Sequence, residues 1–333
     1  MRFRMNGARA TGLCLGALAL ALIASCGGGT QVVRFVPSRL IVLGDESSLL
    51  DDAGSAGNAK KYTVNAPVSA TDPTLDCRIS PIWVQMLASA YGFVFAQCNP
   101  TAASVTALML AGPPGTKVAD VATRAGQLGA LSGTDLLTVL AGANDILAQY
   151  ALYNTTVEGV PQTEDVLVAN LEAQGAVLAA VVNNIANAGG KVLIATVPDM
   201  GLTPFALAEN ALPANAGTDR AALLSRLTLR FNSRLRANII NDGRRIGLIL
   251  GDELIQTMVK FPATYGVVNG VAAACLSSAV APTCTTATLQ PAVGTVAAAD
   301  SFGWLWADAV HMSPGGHSRL GSLAVTRATG NPF

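Results

Sequence analysis

Asp135-Leu136-Leu137-Thr138-Val139-Leu140-Ala141-Gly142-Ala143-Asn144-Asp145 is an apolar run that stops in a glycine-containing polar turn. An apolar run of this length without alternation suits a strand buried on both faces, because a strand with one wet face shows polar residues at every second position. Residues 39–43, 93–96, 192–197 and 246–250 have the same character, and this run reads as the strand 136–140. Between these runs, 81–91, 118–131, 163–188 and 218–241 read as helices. In the last, Leu223, Leu227, Phe231, Leu235 and Ile239 recur every four residues as one core-facing stripe. Strands alternating with helices predict an α/β protein, a three-layer α/β/α sandwich around a five-stranded, mostly parallel sheet. In such sheets ligands bind at the carboxyl ends of the strands, where Gly44-Asp45, Gly142-Ala143-Asn144-Asp145, Pro198-Asp199 and Gly251-Asp252 fall.

The N-terminal stretch obeys a different pattern. Arg2, Arg4 and Arg9 precede an apolar run, residues 11–24, which is shorter than the roughly 20 residues a permanent membrane helix needs. It ends in Ile23-Ala24-Ser25-Cys26, which resembles the cleavage box of a bacterial lipoprotein signal. The reading is a signal over 1–25, lipidation of Cys26, a tether over 26–36 that includes Gly27-Gly28-Gly29, and one domain over 37–333. Export, with lipid anchoring to the cell envelope at the outer membrane or periplasmic face, is the expected localisation. The three arginines are the only charged residues of the signal, so its removal leaves three more acids than bases. With 13% charged residues and no basic run, the chain lacks the footprint of a nucleic-acid binder.

Apart from Cys14 and Cys26, four cysteines remain in a chain read as exported to an oxidising compartment. The close pairs predict two local disulfides, Cys77 with Cys98 and Cys275 with Cys284; the spacing is not that of a zinc site. Residues 260–301 read as a long excursion, a disulfide-pinned flap beside the site. No repeat or interdomain linker is present, and a monomer is the default.

Near the C-terminus stands Asp308-Ala309-Val310-His311, preceded by Phe302-Gly303-Trp304-Leu305-Trp306 and followed by Ser313-Pro314-Gly315-Gly316-His317. A histidine three residues after an aspartate, just before a final helix, can take a proton from a nucleophile while the acid fixes its tautomer. With the ordered set Gly-x-Asn-Asp (Gly142 to Asp145), Pro114-Gly115-Thr116-Lys117-Val118-Ala119-Asp120 and Asp308-x-x-His311, the chain resembles the SGNH, or GDSL, hydrolase family of esterases and lipases. Val197 to Pro204, Phe261-Pro262, Tyr265-Gly266 and Cys275 resemble segments of its longer secreted bacterial members. The resemblance implies a flavodoxin-like fold, ester hydrolysis without metal or organic cofactor, and a small-molecule, lipid or glycan ester substrate. It also implies an oxyanion hole made by Asn144 and the backbone of Gly115, with Gly112 as the other candidate glycine.

The nucleophile position departs from that pattern. The family has Gly-Asp-Ser-Leu at the end of its first strand, whereas this chain reads Gly44-Asp45-Glu46-Ser47-Ser48-Leu49-Leu50-Asp51. An ungapped match puts Glu46 where the serine belongs. A one-residue bulge would present Ser47, and a two-residue insertion Ser48; Ser48 is narrowly favoured, since Ser48-Leu49-Leu50-Asp51 resembles the family's Ser-Leu-Ser-Asp. The expectation is a cell-envelope serine ester hydrolase, with His311 as base and Asp308 as its orienter. The alternative is an inactive binding lipoprotein in which Glu46 has replaced the nucleophile. His317 is read as structural or capping, Asp145 and Asp199 as bonding amides in their own turns, Trp304 and Trp306 as packing the histidine loop, and residues 108–110 as ordinary core.

Overall fold

All six residues of Asp135–Leu140 are buried, against two different layers. In the computed structural model, which describes residues 35–240 and 243–330, β1 (Arg39–Gly44), β4 (Ala107–Met109), β5 (Asp135–Leu140), β8 (Lys191–Ala195) and β9 (Ile246–Ile249) form a parallel sheet. Its order is β4-β1-β5-β8-β9. Short antiparallel pairs accompany it, β2 (Leu50–Asp51) with β3 (Lys60–Lys61) and β6 (Thr156–Val157) with β7 (Val160–Pro161). A further pair, β10 (Asn269–Ala273) and β11 (Trp304–Trp306), is parallel.

The period of two along each strand sorts side chains between the layers. Ile41, Leu43, Leu137, Val139, Val192 and Ile194 pack under α2 (Val118–Gly126), α3 (Ala143–Tyr150), α4 (Glu164–Asn187) and α6 (Arg220–Asn238). Leu40, Val42, Leu136, Leu140, Leu193 and Ala195 face α1 (Trp83–Tyr91), α7 (Gly251–Lys260) and α8 (Pro314–Thr329). The three-layer sandwich expected from the strand composition is therefore present. The stripe Leu223 to Ile239 is buried in the first layer. So is one face of α4, which is long and apolar enough to cross a membrane yet carries Leu167, Leu171, Leu178 and Val182 into the core.

Two expectations are corrected. The edge strand is Ala107–Met109, in the stretch read as ordinary core, whereas 93–96 contributes one bridge, Phe95 to Ala107. The chain turns at Phe95, whose carbonyl accepts from Cys98 N (3.1 Å), and Cys98 is tied to Cys77. The helix expected over 118–131 ends at Gly126, in a stretch where Gly126 and Gly129 lower helix propensity. The signal 1–25 and all but the end of the tether 26–36 lie outside the described residues; one compact unit begins at Phe35.

Both disulfides are formed as expected, Cys77–Cys98 and Cys275–Cys284. The first spans 21 residues, a loop whose closure constrains the unfolded chain by about 3 kcal/mol. Replacing both Cys77 and Cys98 by serine is expected to lower unfolding stability by that amount in urea titrations; an unchanged midpoint would show that the loop is already fixed by other contacts.

Candidate active site

The tip of β1 is forced into a sharp turn. Gly44 has φ +144°, and a Cβ there would collide with the Leu140 carbonyl of the neighbouring strand, so only glycine lets the backbone pass. Asp45 then caps a one-turn 3-10 helix, Glu46–Ser48, its Oδ1 accepting from Ser47 N at 3.0 Å. With three residues per turn, successive side chains leave about 120° apart. One of the three can face the sheet's carboxyl edge, and that one is Glu46.

Glu46 meets residues from two distant parts of the chain. Asn144, second residue of α3, donates from Nδ2 to Glu46 Oε1 (3.1 Å) and Oε2 (2.9 Å), and to the Thr116 carbonyl (3.1 Å). His311 presents Nε2 at 3.7 Å from Glu46 Oε1. Behind it, His311 Nδ1 lies 2.9 Å from both carboxylate oxygens of Asp308. Asp308 Oδ1 also accepts from Val310 N and His311 N, and its Oδ2 from Ala281 N (3.1 Å). Ala281 lies inside the loop closed by Cys275–Cys284, which accordingly supports the acid.

Opposite stands the turn Pro113-Pro114-Gly115-Thr116, closed by Thr116 N to Pro113 O at 3.1 Å. Gly115 takes φ +87°, the value required at the third position of a type II turn. The Gly112 N–H is committed to Gly44 O (2.9 Å), whereas Gly115 is exposed beside Thr116, whose carbonyl holds Asn144.

Burial pulls the His311 pKa down, but the hydrogen bond to Asp308 and the neighbouring Asp308 and Glu46 side chains more than reverse this and bring it to about 9. The imidazole is therefore a cation at neutral pH. Burial likewise works against Asp308, yet its bond to His311 keeps it below the usual carboxylate range. Asp45 is pushed up to about 8 by burial and then by the Glu46 charge. Glu46 thus faces His311 at the position where the family motif carries a serine.

Neither serine reaches the imidazole. Ser48 is fully buried on the other side of the turn, its Oγ accepting from Trp83 Nε1 at 3.1 Å; the narrow preference for it as nucleophile is thus corrected by the helical geometry. Ser47 is half-buried and makes no hydrogen bond to His311. Asp145 accepts from Val118 N (3.0 Å), across the fold rather than within its own turn, while Asp199 holds Gly201 N of its own turn together with Ser225 and Gln256. His317 is not a cap: Ser313 caps α8, and the His317 ring is wholly buried, its pKa pushed down to about 3 by burial and by the charges of His311 and Lys61. Trp306 is buried in the histidine loop and bonds Gly270 O, and Trp304 is buried beside it. Sequence reasoning missed Thr116, and it missed Tyr62, whose ring lies 5.6 Å from that of His311. Tyr62 stands in no motif, and Thr116, though inside the Pro114–Asp120 segment, acts through its backbone carbonyl, which residue type does not reveal. Among the described residues no cluster of His, Cys, Asp and Glu could hold a metal.

No curated protein matches the sequence. Among solved structures, an acetylxylan esterase of Geobacillus stearothermophilus, Axe2, is similar at 13% identity and a TM-score of 0.42, over 89% of this chain and 97% of that one. An α/β hydrolase from the metagenome of Lake Arreo, Spain, LAE5, is similar at 14% identity and 0.38, over 87% and 94%. Likenesses this distant carry no functional weight. The sequence itself matches GDSL-like lipase/acylhydrolase over residues 48–324, most of the chain, starting two residues after Glu46. By that match the chain belongs to the GDSL-like lipase/acylhydrolase family and is a carboxylic ester hydrolase by class.

Proposed function

We propose that this protein hydrolyses esters with Glu46 as the base and His311 as the acid, in place of the serine-centred route. The observation that carries the reading is the Glu46 carboxylate held by Asn144 and facing His311 Nε2. A water between Glu46 and the substrate gives a proton to the carboxylate as its oxygen bonds to the carbonyl carbon. The carbonyl electron pair moves to oxygen, toward the Gly115 N–H and Asn144 Nδ2. As Glu46 is neutralised it loses its hold on Asn144, so the same N–H groups follow the charge to the oxyanion. On collapse the bond to the alcohol breaks, and His311 Nε2 supplies the alcohol's proton. The proton on Glu46 then passes to His311.

Direct attack by Glu46 is disfavoured by leaving-group chemistry. A carboxylic acid ionises near pH 4 and an alcohol near that of water, about 15.7, so the adduct would expel the carboxylate and return to substrate. A single turnover in ¹⁸O-water is expected to label the product acid and leave Glu46 unlabelled. Label in Glu46 would replace the base by a nucleophile.

The pH profile separates this reading from a neutral imidazole base. The raised pKa of His311 keeps the acid form present up to about pH 9. kcat for a short alkyl ester such as ethyl acetate, whose alcohol needs a proton to leave, is expected to hold near neutrality and fall above about pH 9. A rise through pH 6.5 to a plateau would assign His311 the base role. Absence of turnover with any acyl chain would leave the binding lipoprotein.

The location proposed is the cell envelope, through Cys26. Support comes from the Arg2, Arg4 and Arg9 signal, its Ile-Ala-Ser-Cys ending and the two disulfides, which persist in oxidising compartments. A lipid, polyester or glycan ester is the class of substrate.

A further inference from the structure

We propose that the Tyr62 hydroxyl is a catalytic hydrogen-bond donor to the ester substrate, a role that rests on the hydrolase reading above. Tyr62 is mounted between two fully buried neighbours. On one side, Lys61 Nζ donates to the carbonyls of Cys77 (2.9 Å), Ile79 (2.5 Å) and Ser80 (3.0 Å). On the other, Thr63 Oγ1 donates to the Met312 carbonyl (2.8 Å), one residue past His311. These bonds set the phenol against the imidazole, tilted 46°.

The residue is 7% exposed, and a tyrosine this buried ordinarily spends its hydroxyl on a protein partner. Tyr62 Oη has none among the described residues, and it is not among the side-chain oxygens sealed from solvent. Its unpaired hydroxyl therefore keeps some access to solvent, on a ring that lies against that of His311. Burial, with the Asp51 and Glu46 charges, raises its pKa, so it stays protonated and donating at neutral pH. A donor held in advance of the reaction is what charge developing on a substrate oxygen requires. It also adds to Asn144, whose N–H groups are shared with Glu46 and Thr116.

The test is Tyr62→Phe, which keeps the ring against His311 and deletes the donor. kcat for ethyl acetate is expected to fall at least tenfold, with KM within about threefold and the alkaline limb of the pH profile unmoved. Tyr62→Leu, which also removes the ring, should shift that limb. A Tyr62→Phe kcat within twofold of the parent would overturn the proposal while leaving the hydrolase reading intact. Should the parent turn over no ester, the hydrolase reading fails separately, and Tyr62 is judged by NMR titration with N-phenylacetamide, an unreactive amide analogue of a phenyl ester. Binding weakened at least threefold by Tyr62→Phe supports the donor; equal affinity, or no binding to the parent, overturns it.

Discussion

Glu46→Gln is expected to lower kcat by about 10²–10⁴, the usual contribution of a positioned general base, while Ser47→Ala stays within a few-fold of the parent. The glutamine keeps an oxygen for Asn144 and nearly the same volume, so the loss reports basicity rather than shape. It also removes one of the two acids that raise the His311 pKa, so the alkaline limb should move down from about pH 9. Glu46→Ser is the converse experiment. It recreates Gly-Asp-Ser at the tip of β1, beside an imidazole whose remaining acid partner is Asp308, and so assembles the serine arrangement the family motif describes. Activity in that variant should rise with pH as the imidazole becomes neutral, and a serine-reactive phosphonate should label it and not the parent. Selective loss of parent activity in Ser47→Ala would instead return the nucleophile to the serine pair.

Why the nucleophile was harder to read than the fold follows from distances. The sheet was legible because burial on two faces leaves a nearly continuous apolar signature, which Leu136–Leu140 keeps apart from the buried Thr138. Asp308 and His311 were legible as a pair because three-residue spacing lets one carboxylate bond both the ring and the backbone of the histidine. Glu46, Ser47 and Ser48 are each about 3.8 Å apart along the chain, and which one faces the imidazole depends on a 3-10 turn that hydrophobic pattern does not encode. The same limit hid α3 and α5 (Pro204–Ala211), both eight residues long, too short to establish a helical period. Tyr62 is set by its neighbour Thr63, which bonds Met312 far along the chain, and Thr116 acts through a backbone carbonyl that accepts from Asn144, contacts that local sequence does not announce.

Lys61→Met is expected to cost about 1–3 kcal/mol of unfolding stability, because it leaves buried backbone carbonyls without their donor. Lys61 is fully buried, and its ammonium, which has three N–H donors, bonds three backbone carbonyls between Cys77 and Ser80. Methionine fills much of the stem's volume but leaves those acceptors unpaired, at about 1–3 kcal/mol for each one that water cannot reach. Water can return most easily at Ile79, which is partly exposed, and this holds the total below the simple sum. The pH dependence carries an independent signature. Burial lowers the Lys61 pKa to about 7 against the pull of Asp76, below its value of 10.5 in the unfolded chain. The unfolded state therefore binds more protons between about pH 7 and 10.5, and this residue's contribution to stability rises with pH across that window. Lys61→Met should remove that slope as well as lower the midpoint in urea. A loss under 1 kcal/mol with the slope retained would mean that the 77–80 loop keeps its carbonyls hydrated, and that Tyr62 owes its position to Thr63 alone.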